Sequence, residues 1–574
     1  MKRIISIYTF CMLTITMHAQ FMVNGHQAVY DASTNTYLIS IGEESFQTDF
    51  RSDITLEKDS LWTEISIDNI PVNDSYTFKN IEGGKKYSLN GKRNGVNFSS
   101  YITFTSLPII NLAGDFGYDY ANGSIEIMLP TSANSEHSLI KAKWRGGSTN
   151  YYDRHKRNYK IKTLNEKGKS KDISFLGLRE DNNWILDAGQ IDLFRLRNRI
   201  ATEIWQDMST KPYYADKEPK AQSAVNGKVV EVILNHQYAG IYSLTEAMDR
   251  KQMKLKKYDS KNQEFHGMFW KASEWGNALF WGTEGEYDNN SETWNAFEVK
   301  YPDIEDVCPT DYSLLYQAID FVATSDDDTF KSQVAQYFDI PVLIDYYIFL
   351  QFTNAVDNTG KNIYWAIYDQ AQDKKMTLAV WDLDATVGSN WSTNPLHPDY
   401  VKPDNNLAIM NFYIYNRLLS LNVDGFKEKV ALRYKELRQD KLSLSALLDR
   451  YNSYYRKLAQ SGAAKREENR WSKDTDLNGN ELNFEQEISY INLWIEARLA
   501  YLDQSLLPAS TGINNTILDY QAKQYIYNIQ GQRLDKIPSQ GVYILSSKRH
   551  KKGKALCVIM TVLKTFPPLR MVVV

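Results

Sequence analysis

Asp357-Asn358-Thr359-Gly360-Lys361-Asn362, followed by the strand-like run Leu378-Ala379-Val380-Trp381-Asp382-Leu383-Asp384-Ala385-Thr386-Val387-Gly388, decides how the chain is read. An acidic residue precedes an asparagine by five positions, and two more carboxylates close an apolar run. Phosphoryl transfer has matching needs: one carboxylate to orient an attacking hydroxyl, and an amide with a second carboxylate to hold Mg²⁺ on nucleotide phosphates. On that chemistry Asp357 is the candidate base, Asn362 and Asp382 are candidate metal ligands, and Asp384, on the same strand face as Asp382, is a second ligand or its support. The competing reading is that Asp357-Asn358-Thr359-Gly360 is only a turn.

The protein-kinase catalytic loop has the same Asp-to-Asn spacing, with its metal Asp on a later strand. Asn354, Asp357, Asn362, Tyr364 and Trp381-Asp382-Leu383-Asp384 resemble, more specifically, the catalytic segment of the bacterial spore-coat-protein-H (CotH) kinase family, an atypical protein-kinase-like fold. Earlier segments resemble that family in the expected order: Lys143-Trp144-Arg145-Gly146-Gly147-Ser148-Thr149 with Tyr159-Lys160-Ile161-Lys162; Leu176-Gly177-Leu178 through Trp184 to Leu196-Arg197-Asn198; and Val232-Ile233-Leu234-Asn235 through Gly240-Ile241-Tyr242 to Glu246. Trp494-Ile495, Arg498 and Tyr501-Leu502 are similar to its closing helix. The resemblance spans residues 108–507 and implies ATP with Mg²⁺ or Mn²⁺ as cofactors and a protein acceptor substrate.

Further roles follow from residue chemistry beside that resemblance. Lys160 and Lys162 share one strand face, so either can reach a nucleotide phosphate; the resemblance favours Lys162. Gly146 and Gly147 with Ser148 and Thr149 suit a tight turn that brings backbone N–H groups to phosphate oxygens, although the family more often has Asn where Gly147 stands. Arg145 and Arg197 are phosphate or carboxylate partners, or members of structural salt bridges. Glu246 ends a strand-like run where a kinase links its lobes, and so either binds the nucleotide or caps the next segment.

Length and composition fit a globular chain of two or three domains. A net charge of −4 and a pI near 6.1 give no footprint for nucleic acid. Lys2-Arg3, the apolar run Ile4–Met17 and His18-Ala19-Gln20 read as a signal peptide over residues 1–20, so the expected location is secreted or cell-surface. Thr9 and Phe10 stand before Cys11 where a lipid-anchor signal wants small residues, and only Cys308 and Cys557 remain after cleavage, too few for a disulfide framework.

Alternating runs and turn clusters over 21–107 predict an accessory β-sandwich-like domain. Strands alternating with helical patterns are expected over 108–300, and helices over 310–350 and 407–505. The class is thus α+β, a two-lobed kinase-like domain over 108–507. Residues 508–574 form a linker and a β-rich tail. Within it, Tyr527–Leu534 and Gly541–Leu545 resemble the sorting domains of type IX secretion substrates, which implies surface attachment. After Leu545 the tail departs from that pattern, and Lys564, Pro567, Pro568 and Arg570 break its apolar stretch, so no membrane span is expected.

Two rival functions share the same residues. Asp382-Leu383-Asp384-Ala385-Thr386-Val387 also matches the nucleophile motif of haloacid-dehalogenase-type phosphatases, which needs a Rossmann-like alternation of strands and helices after it. A non-catalytic secreted adhesin or scaffold would keep the kinase-like fold without turnover, its clustered Trp270, Trp275, Trp281 and Trp294 serving contact. Independently, Asp474, Asp476, Asn478, Gly479 and Glu485 have the spacing of a calcium loop, with Glu481 where an apolar residue is usual; the alternative is an ordinary acidic loop between helices.

Overall fold

Asn24-Gly25, Asp68-Asn69 and Asn94-Gly95 all place two successive residues at positive φ, the geometry of two-residue hairpin turns. The computed structural model describes residues 21–46, 56–57, 62–73, 75–150 (of Ser148 the backbone only), 155–304, 309–389, 411–475 and 480–507, and the backbone of four further strands between 524 and 562. The turns connect strands β1 (Met22–Val23), β2 (His26–Asp31), β3 (Thr36–Ser40), β4 (Leu56–Glu57), β5 (Trp62–Ile67), β6 (Ile70–Pro71), β7 (Tyr87–Arg93) and β8 (Val96–Thr105). These make one hydrogen-bonded sheet, ordered β4-β1-β2-β3-β8-β7-β5-β6. Parallel pairing of β3 with β8 joins the two hairpin groups edge to edge. The sheet encloses Val23, Ile39, Trp62, Leu89, Ile102 and Phe104.

Seven strands follow: β9 (Ile109–Gly114), β10 (Ala121–Leu129), β11 (Ser132–Arg145), β12 (Asn158–Leu164), β13 (Asn183–Asp187), β14 (Gly227–Leu234) and β15 (Gln237–Glu246). They close into a barrel, the seam being parallel pairing of β9 with β14. Period-two alternation puts Ile125, Ile127, Ile140, Ala142, Tyr159, Ile161, Val230, Val232, Tyr242 and Leu244 inside. The alternation of strands and helices expected here reduces to one long helix, α1 (Arg197–Met208), inserted between β13 and β14. A closed barrel satisfies its strands laterally and needs no helix to cover each crossover. Val29 and Leu38 pack on Ile109, Met128, Ile233 and Tyr238, joining the first sheet to the barrel.

Beyond the four-residue helix α2 (Arg250–Met253), strands β16 (Met268–Ala272), β17 (Thr293–Trp294), β18 (Phe297–Tyr301), β19 (Ile363–Asp369) and β20 (Asp373–Val380) form a sheet in the order β17-β18-β16-β19-β20. Around it lie α3 (Ser313–Thr324), α4 (Asp327–Tyr337), α5 (Ile340–Thr353), α6 (Tyr413–Ser420), α7 (Phe426–Gln439), α8 (Leu444–Gln460), α9 (Ala463–Arg470) and α10 (Phe484–Leu506). Helix α5 is buried on every side from Val342 to Thr353, as its continuous apolar sequence requires. Every pairing in this sheet is antiparallel and β20 is its edge. The phosphatase alternative is thereby corrected, since its nucleophile must sit at the end of a strand inside a Rossmann-like sheet. The upstream Asp326 is instead the N-cap of α4, accepting from the backbone N–H groups of Asp328 and Thr329.

The chain divides into two compact units, the first ending at Leu502 and the second running from Asp503. The second contains a sheet of β21 (Gln524–Asn528), β22 (Arg533–Leu534), β23 (Gly541–Ser547) and β24 (Leu556–Val562), in the order β22-β21-β23-β24. Part of the segment after Leu545 is therefore a strand paired antiparallel with β23. Among the described residues no helix is long and apolar enough to cross a membrane. Residues 1–20 and Cys308, on which the export and cysteine readings bear, lie outside the described residues.

The barrel is held to the helices by a buried ionic knot. The Glu467 carboxylate of α9 accepts from Lys156 Nζ (2.7 Å), Arg195 Nε (2.7 Å) and the Ile241 backbone N–H (2.7 Å), with all three side chains sealed from solvent. Burial pushes the Lys156 ammonium down to about 8, against the opposing pull of Glu467. Beside it Arg466 forks onto Glu231 at 2.8 Å through two nitrogens. Gly240 has a φ of 113°, and a Cβ there would lie 2.1 Å from Glu467 Oε2, so only glycine admits the carboxylate. Glu467→Gln keeps the shape but strands two buried cations, and should cost about 3–5 kcal/mol in urea unfolding. A loss under about 1 kcal/mol, the range of an exposed pair, would show that the knot does not hold the barrel.

Candidate functional site

Helix α5 ends where Asn354 turns left-handed at φ 54°, a conformation that asparagine tolerates. The chain then makes the short 3₁₀ turn Val356–Asn358, which carries Asp357, and reaches Asn362, also left-handed at φ 56°. Asn362 Nδ2 donates to Asp357 Oδ2 at 2.8 Å, and Lys361 Nζ lies 3.3 Å from the other oxygen. The Lys361 ammonium also sits 4.5 Å over the ring of Trp275. Asn358 fastens this loop to the carboxylate strand, its Nδ2 donating to the carbonyls of Asn362 (3.3 Å) and Trp381 (2.8 Å). Just past that carbonyl, Asp382 stands at the end of β20 with φ 58°. Left-handed Asn362 and Asp382 are the kind of local strain that is retained where side chains must be aimed.

Asp382 and Asp384 line a cleft whose other wall belongs to the barrel, through Arg145, Gly146, Gly147, Thr149, Asn158 and Asp187. The turn after β11 is tight: Gly146 has φ 99°, a Cβ on it would lie 2.3 Å from Thr149 Oγ1, and Thr149 Oγ1 donates to the Arg145 carbonyl. Arg145 stacks its guanidinium on Trp381, 5.4 Å from the ring centre. Asn198, on the first turn of α1, bridges the two walls. Its Nδ2 donates to Asp187 Oδ2 (2.7 Å) while its Oδ1 accepts from the Leu383 backbone N–H (3.0 Å).

The electrostatics of this cleft are dominated by carboxylates that repel one another. Burial, then the charges of Asp382, Asp187, Asp357 and Asp192, hold the Asp384 carboxyl well above the usual carboxylate range. Burial and Asp382 also raise Asp187 and Asp357, offset in part by Arg145 at the first and Lys361 at the second. Such a set of hard oxygen donors fits a divalent cation, whose charge removes the repulsion. Among the described residues no three His, Cys, Asp or Glu side chains are arranged to hold a metal unaided. An ion of the magnesium type takes one or two carboxylates and completes its shell with phosphates and water.

The candidates divide by place. Asp382 and Asp384 line the cleft with Arg145, Gly146 and Gly147 opposite, and Asp357, bonded to Asn362, lies outside that lining but within electrostatic reach of Asp382. Lys160 and Lys162 lie on the outer face of β12, in the rows of Ile185 and Asn183, next to the cleft wall but outside its lining. Two assignments need correction. Arg197 is wholly buried and bound to Asp192 (2.6 Å) and Glu487 (2.5 Å), because α1 turns its first residue into the core; it is a structural ion pair and no nucleotide contact. Glu246 is likewise buried, accepting from the backbone N–H groups of Arg179 and Asn226, so it caps the end of β15 away from the cleft. In the calcium-loop pattern, Asp474 pairs with Arg195 (3.2 Å) and Glu485 lies in the first turn of α10, while Asp476 and Asn478 lie outside the described residues. Of the tryptophans, Trp270 and Trp294 are core, and Trp275 and Trp281 are exposed.

Asp187, Asn198 and Asn358 were not singled out by sequence reasoning. Asn198 carried a signal as the last residue of Leu196-Arg197-Asn198, and Asn358 as the neighbour of Asp357; Asp187 had none beyond ending a strand.

An α+β chain with a carboxylate-rich cleft between a small closed barrel and a helical region, facing a glycine turn and an arginine, has the makings of a phosphotransferase site. Residues 142–502 match the family model of the CotH kinase proteins, well over half of the chain. The chain belongs to that family. No curated protein matches it.

Because its folded-state pKa is raised, ionising Asp384 opposes folding: its contribution to stability is complete below the unfolded carboxylate pKa and is lost as pH rises through the folded value. In chelator at pH 8, Asp384→Asn should therefore melt above wild type, and the gain should vanish near about pH 4. A variant melting below wild type at pH 8 would contradict the repulsion described.

Proposed function

We propose that the protein is an exported ATP-dependent protein kinase that transfers the γ-phosphoryl group to a hydroxyl of an extracellular or surface protein. The observation that supports the reading is that Asp382 and Asp384 line a cleft with Arg145 opposite, while Asp357, bonded to Asn362, lies near enough to feel the charge of Asp382. On this reading the barrel is the smaller lobe of a kinase-like pair and residues from about 250 to 507 are the larger. The 21–107 sheet is accessory, residues 1–20 direct export, and the tail strands serve surface sorting.

Each residue then has a task. Asp357 orients the acceptor hydroxyl and takes its proton, held in place by Asn362 and Lys361. Asn362, Asp382 and Asp384 would hold the magnesium ion, which when bound neutralises the phosphate charge. Arg145 and the Gly146-Gly147 turn face the phosphates, and Lys160 or Lys162 approaches them from the neighbouring rows. Asn198 and Asn358 are positioning residues, acting through Asp187, Leu383 and Trp381.

Calorimetric titration of ATP with Mg²⁺ or Mn²⁺ into the full chain should give metal-dependent binding that Asp382→Ala abolishes. Asp357→Asn should retain nucleotide and lose about 10²–10⁴-fold in transfer rate, the contribution of a positioned base. Folded wild-type protein that binds no nucleotide under either metal would favour the non-catalytic scaffold.

A further inference from the structure

The outer face of the barrel beside the cleft carries a charge arrangement that folding alone disfavours. Register across two adjacent strands places Lys143 opposite Lys160 and Lys141 opposite Lys162, two like-charged pairs side by side. Like charges directly opposite one another in a sheet are destabilising. Lys141, Lys143 and Lys162 converge on one ring, with their ammonium groups 5.3, 5.0 and 5.6 Å from the centre of Tyr120. The buried Tyr120 hydroxyl beneath them has no hydrogen-bond partner. Among the described residues none of these four lysines pairs with a carboxylate, whereas the nearby Lys300 is paired with Glu298. Lys300, Arg145, Lys143 and Lys162 all press on Lys160 and, after burial, lower its pKa.

The patch is continuous with the cleft. Arg145 lies two residues beyond Lys143 on the same face of β11 and lines the cleft, while none of the four lysines does. An anion bound over Tyr120 would therefore lie beside the cleft, on the side that Arg145 lines.

We propose that Lys141 and Lys143, the lysines of this cluster that the nucleotide does not use, form over Tyr120 a docking surface for an acidic segment of the acceptor protein, so that the kinase selects hydroxyls flanked by Asp, Glu or already phosphorylated residues. The proposal rests on the kinase reading above and adds the substrate class. An extended acidic peptide matches the surface because the cations run in rows along two adjacent strands, with an aromatic floor for its apolar atoms. The slight negative net charge of the whole protein confines the attraction to this face and disfavours a nucleic-acid partner.

The test uses a fluorescent dodeca-glutamate peptide and the full chain, with anisotropy read at low and moderate salt and ATP·Mg²⁺ binding measured in parallel. Wild type should bind the peptide in a salt-sensitive way. Lys141→Gln/Lys143→Gln should weaken that binding about tenfold, the effect of roughly 1.4 kcal/mol, and leave nucleotide affinity unchanged. Because both side chains are on the barrel exterior, the variant should melt no lower than wild type. Absence of peptide binding by wild type that still binds ATP·Mg²⁺ would overturn the docking surface and leave the kinase reading standing. A variant that loses nucleotide but keeps peptide would return the lysines to the nucleotide site. Equal, variant-sensitive binding of a single-stranded oligonucleotide of the same charge would overturn selection for acidic protein.

Discussion

The Glu467 carboxylate is the point on which the arrangement of barrel and helices depends. It receives a lysine, an arginine and a backbone N–H from three separate parts of the barrel region, and it can do so only because Gly240 leaves room. Charges of this kind, taken wholly out of water, add little net stability over an apolar contact of the same shape, yet are very costly to leave half-made. Their value is geometric: an apolar contact can slide, whereas a carboxylate with three donors has one seat. That seat fixes the barrel wall, and so the positions of Arg145 and Asp187, relative to the helices.

From there the cleft is assembled through backbone groups as much as side chains. Asn358 holds the Asp357 loop to the carbonyl before Asp382, and Asn198 holds Asp187 to the N–H after it. Two amides thus align carboxylates that would otherwise drift apart under mutual repulsion. The result is an acidic floor with a basic approach, a distribution that draws polyanions in and gives a cation a place among them.

The sequence was most informative where chemistry constrains local spacing. The Asp357-to-Asn362 interval and the Asp382-Asp384 pair survive as neighbours because a single turn and a single strand end hold them. Alternation in Tyr159-Lys160-Ile161-Lys162 was legible for the same reason: period two needs no tertiary knowledge. Barrel closure was not, since it rests on β9 pairing with β14 across more than a hundred residues, and helical patterns were overread between them. Arg197 misled because an arginine after a loop is equally suited to phosphate or to Asp192 and Glu487, and only burial decides. Asp187 was invisible because its neighbours in the cleft come from distant segments.

The Asn198 bridge has a mechanical consequence. With one amide gripping both walls, and the Val380 backbone N–H bonded to the Ser223 carbonyl ahead of β14, the cleft cannot swing open as two free jaws without breaking these contacts together. The turn from Arg145 to Asn150 at the mouth is itself pinned by its own hydrogen bonds, so the cavity behaves as a rigid mould that a ligand must fit as it stands.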